Sequence, residues 1–193
     1  APLNVVAILV AAGSGQRMGG VEKAFLPIGG IPLLWYSLSV LQASPLVQAV
    51  VVVVQGSSVE RARSLVQERG FSKVAAVCPG GATRRDSVWA GLEAAPPSTW
   101  VLVHDAARPC LTEELIQRGL TAASGAGAAV AAVPVKDTIK LAGEDGIVRK
   151  TPLRSRLWAV QTPQVFRFDI ITEAYRQARG DVTDDASLVE QLG

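Results

Sequence analysis

The sequence predicts an α/β fold, a mostly parallel sheet with helices on both faces. Three observations point there. Short apolar, β-branched runs recur along the chain, segments with helical spacing separate them, and turn residues punctuate the joins. Val5 to Val10 is the first such run and suits a strand buried on both faces. Pro32 to Gln42 reads as a helix that begins on a proline, whose missing N–H costs nothing in a first turn. Ala49 to Val54 is almost pure valine and is the clearest buried strand. Ser58 to Arg69 has helical spacing and stops at Gly70. Lys73 to Val77 reads as a strand, Arg85 to Ala94 as a helix and Trp100 to Val103 as a strand. Thr112 is placed to cap a helix running to about Ala123, and Ala128 to Val133 is a further strand.

The pattern changes after Pro134. Val135 to Leu141, the polar turn Gly143 to Gly146, and Ile147 to Thr151 read as a charged hairpin. A hairpin that cannot bury its own faces is marginal alone. It is therefore expected either to project from about 134 to 156 onto a second subunit or to lie as a surface excursion. Leu157 to Gln161 follows, then a helix from about Asp169 to Ala178 and a short helix near Asp184 to Gln191, with an N-cap in Thr183-Asp184-Asp185-Ala186-Ser187. No repeat or linker divides the chain, so residues 1–193 read as one domain.

Composition narrows the classes. Of 193 residues, 49% are hydrophobic and 19% charged, which excludes a disordered, charge-dominated chain. The net charge of +2 gives no global basic field, so no nucleic-acid partner is expected and any phosphate chemistry must use local cations. Cys78 and Cys110 read as small core residues of a reducing compartment, and the single His104 leaves no Cys/His zinc set. No uninterrupted apolar run reaches the roughly 18 residues of a membrane span. No basic region precedes the first apolar run. The expectation is a cytoplasmic protein without a signal peptide or membrane partner.

The first strand runs into Ala11-Ala12-Gly13-Ser14-Gly15-Gln16-Arg17-Met18-Gly19. Small residues let the backbone approach a ligand closely, and successive N–H groups in such a turn can point at phosphate oxygens. Arg17 and Lys23 place two cations beside it. The run is neither a P-loop nor a complete dinucleotide fingerprint, because Gly13 and Gly15 satisfy only the first half of the latter. Further on, Val101-Leu102-Val103-His104-Asp105-Ala106-Ala107-Arg108-Pro109 puts a carboxylate just past a strand end, where open α/β sheets bind ligands. Asp105 there is either a Mg²⁺ ligand between phosphates or a turn residue paired to Arg108. Gly80 to Ser87 joins a strand to a helix, and is either a ring of donors for a base edge or a helix start capped by Thr83. Trp158 and Phe166 read as packing residues.

The segment A-A-G-x-G-x-R-M with its following Lys23-Ala24-Phe25-Leu26 resembles the nucleotidyltransferase signature. The later blocks, in order, resemble the 2-C-methyl-D-erythritol 4-phosphate cytidylyltransferases of the non-mevalonate isoprenoid pathway. These blocks are V-L-V-H-D-A-A-R-P, the Gly80-Gly81-x-x-Arg84-x-x-Ser87 loop, Asp137-Thr138 in the hairpin, Arg154-Ser155-Arg156-Leu157-Trp158, Gln161-Thr162-Pro163-Gln164, and Thr183 to Ser187. The resemblance implies a Rossmann-like fold and a homodimer built through the arm. It implies transfer of CMP from CTP to 2-C-methyl-D-erythritol 4-phosphate with release of pyrophosphate, and Mg²⁺ as cofactor.

By the same resemblance, Ala11, Ala12, Gly13 and Gly15 contact the nucleotide, and Arg17 and Lys23 stabilise charge at the α-phosphate. Gly81, Ala82, Arg84 and Ser87 belong to the cytosine and ribose pocket. Ala82 stands where relatives often carry an acidic residue, so only a backbone contact is expected there. Asp105, Ala106 and Arg108 lie beside metal and acceptor, with Asp105 the metal ligand. Thr138, Arg154 and Thr162 hold the acceptor, the first two reached from the arm, with Arg154 counted among the catalytic residues. His104 is not read as a base, because an acceptor phosphate is already ionised near neutral pH. The family pattern continues with an N-x-K-[VI]-T strand and a helix that nothing here matches, so roughly thirty further residues are expected. Two alternatives stand: a cytidylyltransferase for another polyol phosphate such as ribitol phosphate, and a nucleotide-binding module without turnover.

Overall fold

The computed structural model describes residues 4–13, 22–177 and 184–192. In chain order the elements are β1 (Val5–Val10), β2 (Pro27–Ile28), β3 (Ile31–Pro32), α1 (Leu33–Ala43), β4 (Ala49–Val54), α2 (Val59–Glu68), β5 (Val74–Pro79), α3 (Arg84–Ala94) and β6 (Trp100–Asp105). They continue with α4 (Glu113–Ala126), β7 (Ala128–Pro134), β8 (Leu141–Ala142), β9 (Val148–Lys150), β10 (Trp158–Arg167), α5 (Phe168–Gln177) and α6 (Asp185–Glu190). The predicted helices and parallel strands are all present, with ends displaced by a few residues. Asp184 caps α6, its carboxylate accepting the Ser187 N–H at 3.1 Å. Thr183 lies outside the described residues.

Six strands form the central sheet in the order β5-β4-β1-β6-β10-β7. The pairs β4–β5, β1–β4 and β1–β6 are parallel, whereas β10 runs antiparallel to both β6 and β7. The reversal of β10 has a simple cause. The chain leaves β7 at its carboxyl end, makes the arm, and re-enters the sheet from that same end with no helix to carry it back.

The all-valine strand shows why period-2 alternation is absent from the sequence. Val50, Val52 and Val54 face one layer, against Leu34, Leu38 and Ala62 of α1 and α2. Val51 and Val53 face the other, with Val88, Leu92 and Ile171 of α3 and α5. Both faces of the strand are dry, so every position is apolar. Gly91 in α3 belongs to this contact, since a Cβ there would lie 2.5 Å from Ile8 Cγ2.

Four expectations need correction. The arm hairpin is shorter than predicted, pairing only at Leu141–Ala142 and Val148–Lys150. With no second layer over it, only the segment near the turn is regular. The strand after the arm is ten residues long, Trp158–Arg167, and includes a cis Thr162–Pro163 bond. The sequence alone marks only Leu157 to Gln161 here, and the ladder to β7 shifts register between Val160 and Gln164. Cys110 is exposed, not core, because it lies in the loop after β6, while Cys78 is half-buried. Trp158 is 58% exposed and packs in no core, although Phe166 on the same strand is fully buried.

Candidate active site

The connection after β1 leads to β4 toward one edge of the sheet and that after β6 leads to β7 toward the other, and a crevice opens at the carboxyl ends between β1 and β6. A cavity of about 650 Å³ occupies it. Four strand ends line it: Val10 to Gly13 after β1, Gln55 and Gly56 after β4, Gly80 to Thr83 after β5, and Asp105 to Ala107 after β6. Register places Asp105 directly beside Val10. The ladder continues past the strands, with Ala11 N–H donating to Val53 C=O at 2.7 Å and Ala106 N–H to Val10 C=O at 2.9 Å. Ala11 and Ala106 are thereby fixed to the sheet.

Gly80 is a close approach. A Cβ there would lie 2.4 Å from Ala12 Cβ and 2.5 Å from Ser87 Oγ. The two lining loops touch through that missing side chain. Thr83 caps α3 in a reciprocal box: its hydroxyl accepts the Asp86 N–H at 3.1 Å and its N–H donates to the Asp86 carboxylate at 3.0 Å. Ser87 donates to Thr83 C=O at 3.0 Å and accepts the Gly81 N–H at 3.2 Å. The helix-start reading of this loop therefore holds, and the capped start shapes the cavity wall.

Lys23 reaches the same cavity from a short 3-10 turn, Lys23–Phe25, anchored by buried Ala24 and Phe25. Its ammonium has no carboxylate partner among the described residues. Gly15 and Arg17 lie outside the described residues.

A second cavity of about 480 Å³ adjoins the first, and Arg84 and Asp105 line both. Arg108, Trp158, Thr162 and Gln164 contribute to its wall. The exposed Trp158 thus faces a cavity. Arg84 donates from Nε to Asp105 Oδ1 at 3.1 Å and from Nη1 to Asp185 Oδ2 at 2.9 Å. Arg108 Nε lies 3.5 Å from Asp105 Oδ2. Burial disfavours the Arg84 cation, but Asp185 and Asp105 outweigh it and raise its pKa above the usual range.

Thr162 is buried and serves two neighbours. Its hydroxyl accepts the Asp105 N–H at 3.0 Å and lies 2.9 Å from His104 Nδ1. His104 Nε2 lies 2.9 Å from Arg108 C=O, which can only accept. His104 is therefore the Nε2–H tautomer, and its Nδ1 accepts the Thr162 proton. Burial pushes the His104 pKa down, against the raising effect of the Arg108 carbonyl.

Thr138 and Arg154 line neither cavity of their own chain. Arg154 donates to Lys136 C=O at 2.8 Å within the arm. Sequence reasoning missed Gln55, Gln164 and the role of Asp185. The strand-end rule could have found Gln55. No spacing links Asp185 to Arg84, which are joined only by the fold.

Among the described residues no three His, Cys, Asp or Glu side chains cluster as a metal cage. Among the described residues Asp105 is the sole carboxylate lining the first cavity. That donor set fits Mg²⁺, which keeps several waters and binds through one or two carboxylates plus substrate phosphates. Each Asp105 oxygen carries a further lone pair beyond its arginine contact.

Gly13 at the carboxyl end of β1, Lys23 beside it and a carboxylate shared with a second cavity fit the nucleotidyltransferase class. Residues 5–193 match the family described as IspD: 2-C-methyl-D-erythritol 4-phosphate cytidylyltransferase. A relative of that name from Dehalococcoides mccartyi is 50% identical over 189 residues, covering 98% of this chain and 83% of its own. Another, from Pelotomaculum thermopropionicum, is 50% identical over 196 residues, covering 98% of this chain and 82% of its own.

Among solved structures, 4-diphosphocytidyl-2C-methyl-D-erythritol synthase from Anaerococcus prevotii superposes with a TM-score of 0.87 at 28% identity, covering 99% of this chain and 83% of that one. The Thermus thermophilus cytidylyltransferase gives 0.74 at 34% identity, covering 100% and 85%. The chain belongs to the 2-C-methyl-D-erythritol 4-phosphate cytidylyltransferase family, and its activity is CTP-dependent synthesis of the cytidyl-methylerythritol intermediate of isoprenoid formation. No helix among the described residues is long and apolar enough to cross a membrane.

Proposed function

We propose that the chain divides this reaction between its two joined cavities. CTP lies in the larger, its phosphates against the Ala11 to Gly13 backbone and its base and ribose against Gly81, Ala82, Arg84 and Ser87. The methylerythritol phosphate lies in the smaller, beside Asp105, Ala106, Arg108 and Thr162. The observation that carries the reading is that Arg84 and Asp105 line both cavities. The reacting phosphates would meet there.

An oxygen of the acceptor phosphate attacks the α-phosphorus in line. The new P–O bond forms as the bond to the β-phosphate oxygen breaks, and pyrophosphate leaves with that electron pair. No base is required, because the attacking oxygen is already ionised. Catalysis is then positioning and charge stabilisation. Lys23 and Arg17 neutralise charge at the α-phosphate. Mg²⁺ held by Asp105 would screen the phosphates of CTP from one another.

Thr138 and Arg154 stand away from their own chain's cavities, which supports a homodimer in which the arm of one copy completes the acceptor site of the other. Leu141, Ile147, Val148 and Leu153 leave apolar surface exposed along that arm. Pyrophosphate release with CTP, Mg²⁺ and methylerythritol phosphate tests the reading, with ribitol phosphate as competing acceptor. Faster release with methylerythritol phosphate is expected, and a preference for ribitol phosphate would overturn the acceptor assignment.

A further inference from the structure

We propose that Asp185 is a positioning residue for the transfer reaction, holding Arg84 in the one orientation that serves both cavities. This inference rests on the two-cavity reading above and adds a residue that touches neither substrate.

Asp185 opens α6 and is 1% exposed. A carboxylate so buried persists only if both oxygens are satisfied. Oδ2 accepts from Arg84 Nη1 at 2.9 Å, and Oδ1 accepts the Tyr175 hydroxyl at 2.5 Å. Burial and the Asp185 charge both push the Tyr175 pKa up, so the phenol remains a donor. The Tyr175 ring in turn stacks on Trp89, with centroids 5.7 Å apart and planes 15° from parallel. Trp89 and Arg84 belong to the same helix, α3. The path from α3 through α5 and α6 back to α3 is therefore closed. Arg84 is held from behind by Asp185, and its Nε faces Asp105 at 3.1 Å.

A buried ion pair is a poor source of net folding stability, and an apolar pair of similar volume often does as well. What this pair does supply is direction. A guanidinium released from Asp185 could turn both its edges onto Asp105 or swing into the nucleotide phosphates. Either motion would misplace the carboxylate that lies between the two cavities. Misplacement of about 1 Å in such a site costs on the order of a hundredfold.

The test is a cycle of Asp185→Asn and Arg84→Ala, singly and together, in the otherwise unaltered chain. Circular dichroism checks folding, pyrophosphate release under excess enzyme reads transfer, and calorimetry reads CTP affinity. Asp185→Asn is expected to fold and to lower kcat/KM by about tenfold or more. Its effect is expected to vanish in the Arg84→Ala background, because a residue acting through Arg84 has nothing left to position. Wild-type kinetics in Asp185→Asn, or losses that multiply in the double variant, would overturn the proposal. Should the Asn chain fail to fold, Tyr175→Phe removes one donor from the same carboxylate and runs the same cycle with the same two outcomes. The CTP-affinity cycle is independent of turnover. Failure of the wild-type chain to use the acceptor therefore bears on the proposed function and not on Asp185.

Discussion

At the level of single residues, the cations around the cavities fall into two kinds. Arg84 and Arg108 face Asp105, and Arg84 also faces Asp185, so these two cations and two carboxylates carry no net formal charge. They supply directed hydrogen bonds rather than surplus positive potential. Lys23 has no such partner among the described residues, and its charge is free for phosphate. Lys23→Ala is therefore expected to lower kcat by about a hundredfold or more at saturating CTP and Mg²⁺, with the thermal midpoint little changed. Steady-state pyrophosphate release checks this.

His104 makes a second residue-scale prediction. Its folded pKa lies below the ordinary 6.5, so between those two values the unfolded chain binds the extra proton and the folded chain does not. The stability that neutral His104 contributes is complete above 6.5 and falls as pH drops through that window. His104→Gln should cost about 1–3 kcal/mol at pH ~7.5, by disturbing the Thr162 and Arg108 hydrogen bonds. Urea unfolding should show the gap between wild type and variant narrowing toward pH ~5. A gap that widens would mean that His104 is charged in the folded protein. His104 and Asp105 were visible in sequence as a block past a strand end. The proton order, Asp105 N–H to Thr162 to His104 to Arg108 carbonyl, was not, because Thr162 lies on a strand 57 residues away from Asp105.

Elements show the same division between local and non-local information. Parallel strands buried on both faces announce themselves as valine runs, and Thr83, Thr112 and Gly70 mark helix ends in sequence. The antiparallel insertion of β10 between β6 and β7 did not show, because antiparallel and parallel buried strands share one composition. What places the site is the contact between loops. Gly80→Ala is expected to push Ala12 after β1 and Ser87 of α3 away from the Gly80 loop, costing about 1–3 kcal/mol of stability and weakening CTP binding. Denaturant melts and calorimetry measure both. Unchanged affinity with lost stability would show that the cavity wall does not hold the nucleotide.

At the scale of the whole molecule, Arg154 and Thr138 stand apart from the cavities that the other site residues line. Resemblance placed them at the acceptor, and the fold of one chain does not bring them there. A second copy resolves the difference if each arm serves its neighbour. Mixing two impaired chains tests this directly. In a dimer of Lys23→Ala with Arg154→Ala, one site lacks both residues. The other combines the Lys23 of the Arg154→Ala chain with the intact Arg154 of its neighbour. Random assembly of equal amounts makes half the dimers mixed, so about a quarter of all sites are restored. Co-refolded or slowly exchanged mixtures should therefore recover about a quarter of wild-type pyrophosphate release, although each parent is nearly inactive. An arm that served its own chain would give only the mean of the two parents at every mixing ratio.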